Sequence, residues 1–157
     1  MSELTISENA SKKYTMEIED NLFRIIALID IPSVGVKIGD RGGLIEKKVN
    51  LSHENNAWVS GNALVYGNAR VSGDARVFGN ARVSGNTLVF GNAWVSGHAL
   101  VSGNALVYGD ARVYGNALVY DDARVFGNAE VSGNALMYGY TLMYDYTQIQ
   151  DKGTYNE

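Results

Sequence analysis

The chain has no cysteine and only one proline in 157 residues. Without thiols there is neither a disulfide framework nor a thiolate metal site, and such usage is compatible with a reducing cytoplasm. Long apolar runs are also missing. The longest, Ile25 to Ile31, is broken by Asp30, and it falls far short of the roughly 20 residues that a bilayer-spanning helix needs. The residues after Met1 lack a basic and then apolar leader pattern, so the expectation is a soluble, cytoplasmic protein without membrane association. Positive charge is scarce, with 13 Lys and Arg against 17 Asp and Glu for a net charge of -4. Duplex nucleic acid recruits basic surfaces through its phosphates and is therefore not an expected partner. Local arginine clusters can still meet a small anion.

What the chain does have is glycine and tyrosine, 18 and 10 residues respectively, a composition of tight turns between short strands. Their arrangement is periodic. From Ala57 the sequence reads AWVSGN, ALVYGN, ARVSGD, ARVFGN, ARVSGN, TLVFGN, AWVSGH, ALVSGN, ALVYGD, ARVYGN, ALVYDD, ARVFGN, AEVSGN, ALMYGY, TLMYDY, TQIQDK, sixteen hexads with no insertion or deletion. In each, Ala or Thr and then Val, Met or Ile stand two apart, so in an extended segment both point to one side, the core. The residue between them points outward. The next three make a corner, where Gly and Asn are expected to take the left-handed backbone of a sharp bend. So short a strand cannot bury its face alone; the repeats must stack, with ladders between successive turns about 4.8 Å apart.

The aliphatic residue followed four positions later by a small one, as in Val65 and Ala69 or Val77 and Ala81, resembles the hexapeptide-repeat, left-handed β-helix family. The resemblance covers 57–152. It implies an all-β, left-handed parallel β-helix, a triangular solenoid with three hexads or 18 residues per coil. The general crossover rule alone favours the other hand. The arrangement is most similar to the short phage- and prophage-encoded hexapeptide proteins, which would place it in a bacterial host cell. Residues 1–56 read as a separate cap: a polar start through Lys12, a hairpin from Tyr14–Glu19 and Leu22–Ile29, and an irregular first coil over Val36–Leu51. Residues 153–157 read as a tail.

Three hexads per coil, as the resemblance implies, stack residues eighteen apart and sort the outward positions into three faces. One carries Trp58, Arg76, Trp94, Arg112, Glu130 and Gln148; the second Leu64, Arg82, Leu100, Leu118 and Leu136; the third Arg70, Leu88, Leu106, Arg124 and Leu142. Leu64, Leu88, Leu100, Leu106, Leu118, Leu136 and Leu142 form columns that ask for a partner. Trimers are common in the family, so self-association about a parallel axis is the expected use of these columns. The Trp and Arg face is either a cation–π stack or a platform where a nucleobase stacks while Arg76 or Arg112 meets a phosphate. Phe90, Tyr108, Phe126 and Tyr144 stack at one corner, and Tyr120 and Tyr138 at another, by themselves or around a planar ligand at a subunit groove. Arg70, Arg76 and Arg82 girdle one level, one per face, as solvated charges or as part of an anion site between subunits. The candidate ligand-binding residues are Arg70, Arg76, Arg82, Trp58, Trp94, Arg112, Tyr108 and Arg124.

Catalysis is not expected. The acyltransferases of the family use a His base and interrupt their repeats with a loop; here the array is unbroken, and His98 replaces an Asn in the ladder Asn62, Asn80, Asn116, Asn134 with no Asp or Glu at its own corner. The family's zinc hydratases need three His, whereas His53 and His98 are more than two coils apart. Gly39-Asp40-Arg41-Gly42-Gly43 lacks the Lys-Ser/Thr and the helix of a phosphate loop, and His53-Glu54 reads as a turn. The function expected is therefore a non-enzymatic, oligomeric binding solenoid without cofactor or metal that sequesters a small anionic ligand such as a nucleotide. A ligand-free structural rod and a degenerate acyltransferase are the alternatives.

Overall fold

The computed structural model describes residues 12–150 and the backbone of 154–155; the polar start over 1–11 lies outside the described residues. An antiparallel hairpin, β1 (Tyr14–Glu19) and β2 (Leu22–Ala27), leads through a short 3-10 turn at Pro32–Val34 to β3 (Arg41–Ile45). Sixteen two-residue strands then follow at intervals of six, β4 (Trp58–Val59) through β19 (Gln148–Ile149), one per hexad. The protein is an all-β parallel solenoid with three sheets, of nine, six and five strands. Leu100 pairs with Arg82 above and Leu118 below, and Trp94 with Arg76 and Arg112, so neighbours in each sheet are eighteen residues apart. The sheets hold the three outward columns read from the sequence. The ladder also runs past position 152, since β20 (Thr154–Tyr155) pairs with Leu136 and Met137.

Strands of two residues suffice because each coil donates hydrogen bonds to the next at both strand and corner. In the hexad at 75–80, Arg76 N–H reaches Ala93 O at 2.9 Å, Phe78 N–H reaches Val95 O at 3.0 Å and Asn80 N–H reaches Gly97 O at 2.7 Å. The inward side forms the core: every small and aliphatic position of the hexads from Ala57 to Met143 is buried. β-branched Val stacked on Val fills it, a residue type that suits extended backbone.

The corners differ from expectation in one respect. The Gly of each hexad takes the left-handed conformation, φ 62–69° from Gly61 to Gly139, whereas the following Asn does not. Where the Gly is replaced, Asp121 and Asp145 adopt φ 58° instead. The Asn side chains have another use, forming amide ladders between coils: Asn68 Nδ2 donates to Asn86 Oδ1 at 3.2 Å, and Asn86 Nδ2 to Asn104 Oδ1 at 3.1 Å. The amide is selected for its paired donor and acceptor rather than for its backbone.

The cap joins the solenoid through β3, which pairs antiparallel with β2 and parallel with β5 (Leu64–Val65). Gly42 and Gly43 serve this junction. A Cβ on Gly42 would sit 2.6 Å from Val59 O, and one on Gly43 would sit 2.6 Å from Val59 Cγ1, so only glycine lets the cap strand lie so close to the first coil. That coil is irregular, as expected. Leu44 pairs with Leu64 and Leu51 with Val71, a spacing of twenty, before Trp58 and Arg76 restore eighteen. The additional length is taken up between Leu51 and Ala57, where Asn55 turns with φ 57°.

Gly103 combines a positive φ of 68° with a site where a Cβ would lie 2.6 Å from Asp121 N. Gly103→Ala is therefore expected to lower unfolding free energy by about 2 kcal/mol or more, against less than about 0.5 kcal/mol for the surface change Arg82→Lys, as read by urea denaturation.

Candidate functional site

Two regions collect the outward residues that carry chemistry. On the first face, Trp94 is half-buried, with the Arg112 guanidinium carbon 4.7 Å and that of Arg76 5.2 Å from its ring centroid. Phe78 meets the ring edge-on at 5.9 Å. Arg76 also donates to the Ser33 carbonyl of the cap. Trp58, which the eighteen-residue register places on this same face, is only 3% exposed, because the cap folds over the first coil and Tyr14 packs edge-on to the indole at 6.4 Å. Trp58 is thus core and unavailable as a stacking platform. Further along, Glu130 accepts from Tyr114 Oη at 2.9 Å and from Gln148 Nε2 at 3.3 Å. The face is largely occupied by its own side chains, as in the cation–π reading, where each contact contributes about 0.5–1 kcal/mol.

The second region lies where the cap meets the third face, a groove of about 630 Å³ bordered by Lys48, Val49, His53, Arg70, Ser72 and Phe90. The turn that carries Lys48 and Val49 is held by Asn50, a fully buried amide. Asn50 Oδ1 accepts from Glu46 N–H at 3.0 Å and Lys47 N–H at 2.8 Å, while Nδ2 donates to Ala69 O at 2.8 Å and Gly67 O at 3.2 Å. This pins the 3-10 turn Lys48–Asn50 to the coil and leaves Lys48 and Val49 exposed at the groove rim. Arg70 is exposed on β6 (Arg70–Val71). Neither Arg70 nor Lys48 forms an ion pair among the described residues.

His53 forms the far wall and ties the groove to the cap. Its ring stacks on Tyr14 at 4.0 Å, and its Nδ1 accepts the Lys13 backbone N–H at 3.0 Å, so the neutral ring carries its proton on Nε2. Burial, together with Lys13, Lys12 and Lys48 nearby, holds its pKa below the usual histidine range. Tyr14 Oη donates to Leu51 O at 2.6 Å, and burial pushes this phenol up to about 12. The Lys13 amine is buried against Ala57 O at 2.5 Å and Asn55 O at 3.4 Å. Burial lowers it to about 8 in spite of Asp74.

The other sequence candidates are dispersed. Arg70, Arg76 and Arg82 lie on three different sheets and do not meet within one chain. Arg82 and Arg124 are exposed on the second and third faces. Tyr108 stands inside the aromatic column, stacked on Phe90 at 4.9 Å and Phe126 at 5.0 Å, with Tyr144 continuing at 5.6 Å. Tyr120 and Tyr138 stack at the second corner at 5.4 Å. Of the Leu columns, Leu100 and Leu142 are the most open, and Leu64, Leu88, Leu106, Leu118 and Leu136 are half-buried between their rungs. His98 sits at an exposed corner, its backbone N–H on Gly115 O at 2.7 Å. Lys48 escaped sequence reasoning and His53 was read only as part of a turn, because the twenty-residue coil puts both out of register; that a Ser, Ser72, stands above Phe90 could have been found by reading the corner column upward.

These features define a β-solenoid repeat protein. Its hexads at 57–73, 69–85, 75–91, 81–97 and 111–125 match the family model described as the YdcK beta solenoid repeat, to which the chain is similar over those residues. No curated protein shows a significant match to the chain. Among the described residues no helix is long and apolar enough to cross a membrane.

Lys13 and Tyr14 set opposite pH responses. Between pH 8 and 10.5 the unfolded chain holds a proton on Lys13 that the folded chain has lost, so stability rises with pH; between 10 and 12 the unfolded Tyr14 loses a proton that the folded one keeps, so stability falls. Denaturation midpoints are expected to rise from pH 8 to 10 and then decline, and Lys13→Met is expected to flatten the rise.

Proposed function

We propose that the protein is a non-enzymatic binding solenoid that sequesters a small anionic ligand of nucleotide type. The observation that carries this reading is the groove at the cap: two cations without ion-pair partners among the described residues, Arg70 and Lys48, stand beside apolar and aromatic surface in a volume of about 630 Å³. Small-molecule sites are commonly about 300–1,000 Å³, largely apolar, with a few converging polar groups. An anion held by a guanidinium and an ammonium gains charge-assisted hydrogen bonds, and its aromatic portion gains stacking area. The unbroken hexads supply a backing for such a site that is hydrogen-bonded from coil to coil.

Self-association, cytoplasmic action and a phage or prophage setting belong to the same proposal. The open Leu100 and Leu142 are 41% and 45% exposed, and burying them against a second and third copy would remove apolar surface from water. A trimer would also bring the third face of one chain beside the second face of its neighbour, where Arg82 and Arg124 project.

Native mass spectrometry of protein purified from cells is expected to show a trimer mass and a retained small-molecule mass. A nucleotide panel is expected to raise the melting temperature. A spectrum free of adducts together with no thermal shift would leave the rod reading in place. Light scattering at a monomer mass would reject the association through the Leu columns.

A further inference from the structure

The aromatic column on the third-face corner stops one ring short. Phe90, Tyr108, Phe126 and Tyr144 lie near parallel, at interplanar angles of 2°, 4° and 18° for successive pairs. The position one rung above Phe90 is Ser72, whose hydroxymethyl leaves the outer side of the Phe90 ring without a ring neighbour among the described residues. This gap opens into the groove beneath Lys48 and Val49. We propose that the Ser72 rung receives the base of a nucleotide, stacked on Phe90 as the next member of the column, while Arg70 and Lys48 hold its phosphate. The proposal rests on the binding function above and names the place and class of its ligand.

Three features of the geometry favour this occupant. The column repeats at 4.9–5.6 Å between centroids, close to the strand spacing of about 4.8 Å, so one planar ring fits per rung without displacing protein. Arg70 and Ser72 alternate with the buried Ala69 and Val71, and both therefore point outward from one rung. Two residues of strand set them about 6.6 Å apart, the reach of a ribose between base and phosphate. His53, whose Nδ1 is already engaged by the Lys13 N–H, presents the remaining imidazole nitrogen as a donor for an anion or a base edge.

A second gap provides an internal comparison. Ser102 stands one rung above Tyr120, which stacks on Tyr138, but its hexad carries Leu100 in the place that Arg70 occupies beside Ser72. Aromatic stacking tolerates any base, whereas the cation selects for phosphate. The Ser72 gap has a ring and two cations, Arg70 and Lys48, whereas the gap above Tyr120 has a ring and, one rung further up, Arg82 alone.

The experiment is calorimetric titration of the intact chain with the four common nucleoside 5′-monophosphates and their 3′,5′-cyclic forms, with adenosine and inorganic phosphate as partial probes. At least one nucleotide is expected to bind, more tightly than either partial probe. Ser72→Phe extends the column with a residue the corner already uses, so it should keep the melting temperature while weakening nucleotide binding at least tenfold. Ser102→Phe should leave affinity within twofold. Phe90→Leu and Arg70→Ala, which do not depend on accommodating a new ring, should each weaken binding at least tenfold, with Arg70→Ala leaving adenosine unaffected. Nucleotide binding that is indifferent to Ser72→Phe, Phe90→Leu and Arg70→Ala overturns the Ser72 site while leaving the binding function intact. Absence of binding by every nucleotide to the unaltered chain overturns both.

Discussion

Stacking of one coil on the next at a single strand spacing is the constraint on which the rest of this protein depends. Each hexad donates backbone N–H groups to the coil below at its strand and at its corner, as Arg76, Phe78 and Asn80 do toward Ala93, Val95 and Gly97. A residue inserted within a strand would break register with both neighbours, and extra length is accommodated outside the strands, as between Leu51 and Ala57. The same spacing is suited to side-chain columns, because a planar ring, an amide or a guanidinium on one rung lies within contact of its counterpart on the next. Val columns inside, Asn ladders at the corners and Phe and Tyr stacks beside them are three consequences of one repeat distance.

A solenoid end exposes unpaired backbone, and the cap meets this problem by departing from the repeat. Its hairpin supplies strands to the long sheet through β3, where Gly42 and Gly43 permit contact with Val59 that no side chain would allow. The first coil is longer by two residues, and the excess is held by polar groups that are buried yet bonded: the Asn50 amide, the Tyr14 phenol and the Lys13 amine. Such groups are costly to bury unless paired. Pairing them to backbone carbonyls fixes a single geometry for the cap, and that geometry leaves the groove between Lys48, His53 and the third face.

The faces are consequently unequal in what they can offer. Where Trp94 stands between Arg76 and Arg112, the side chains satisfy one another. Where the aromatic column meets the cap, Ser72 interrupts the pattern, and the adjoining cations have no ion-pair partner among the described residues. This repeat protein acquires its individuality where the regular array meets the irregular cap.

Periodicity made most of the architecture legible from the amino acids alone. Alternation of Ala, an outward residue and Val specifies strand, core side and outward side, because pleating depends only on local geometry. An unbroken period of six then assigns Trp94 to the column of Arg112, and Phe90 to that of Tyr108, as their pairing confirms. The corner amides were placed in the right columns and as ladders, but the left-handed backbone also expected of them falls to Gly and, at two corners, to Asp121 and Asp145. Burial of Trp58, the tie of Arg76 to Ser33, and the meeting of Lys48, His53 and Arg70 around one groove were decided only in the tertiary structure. Each depends on how residues 12–56 fold back over a coil of different length, and a local repeat pattern carries no information about contacts made across such a break in register.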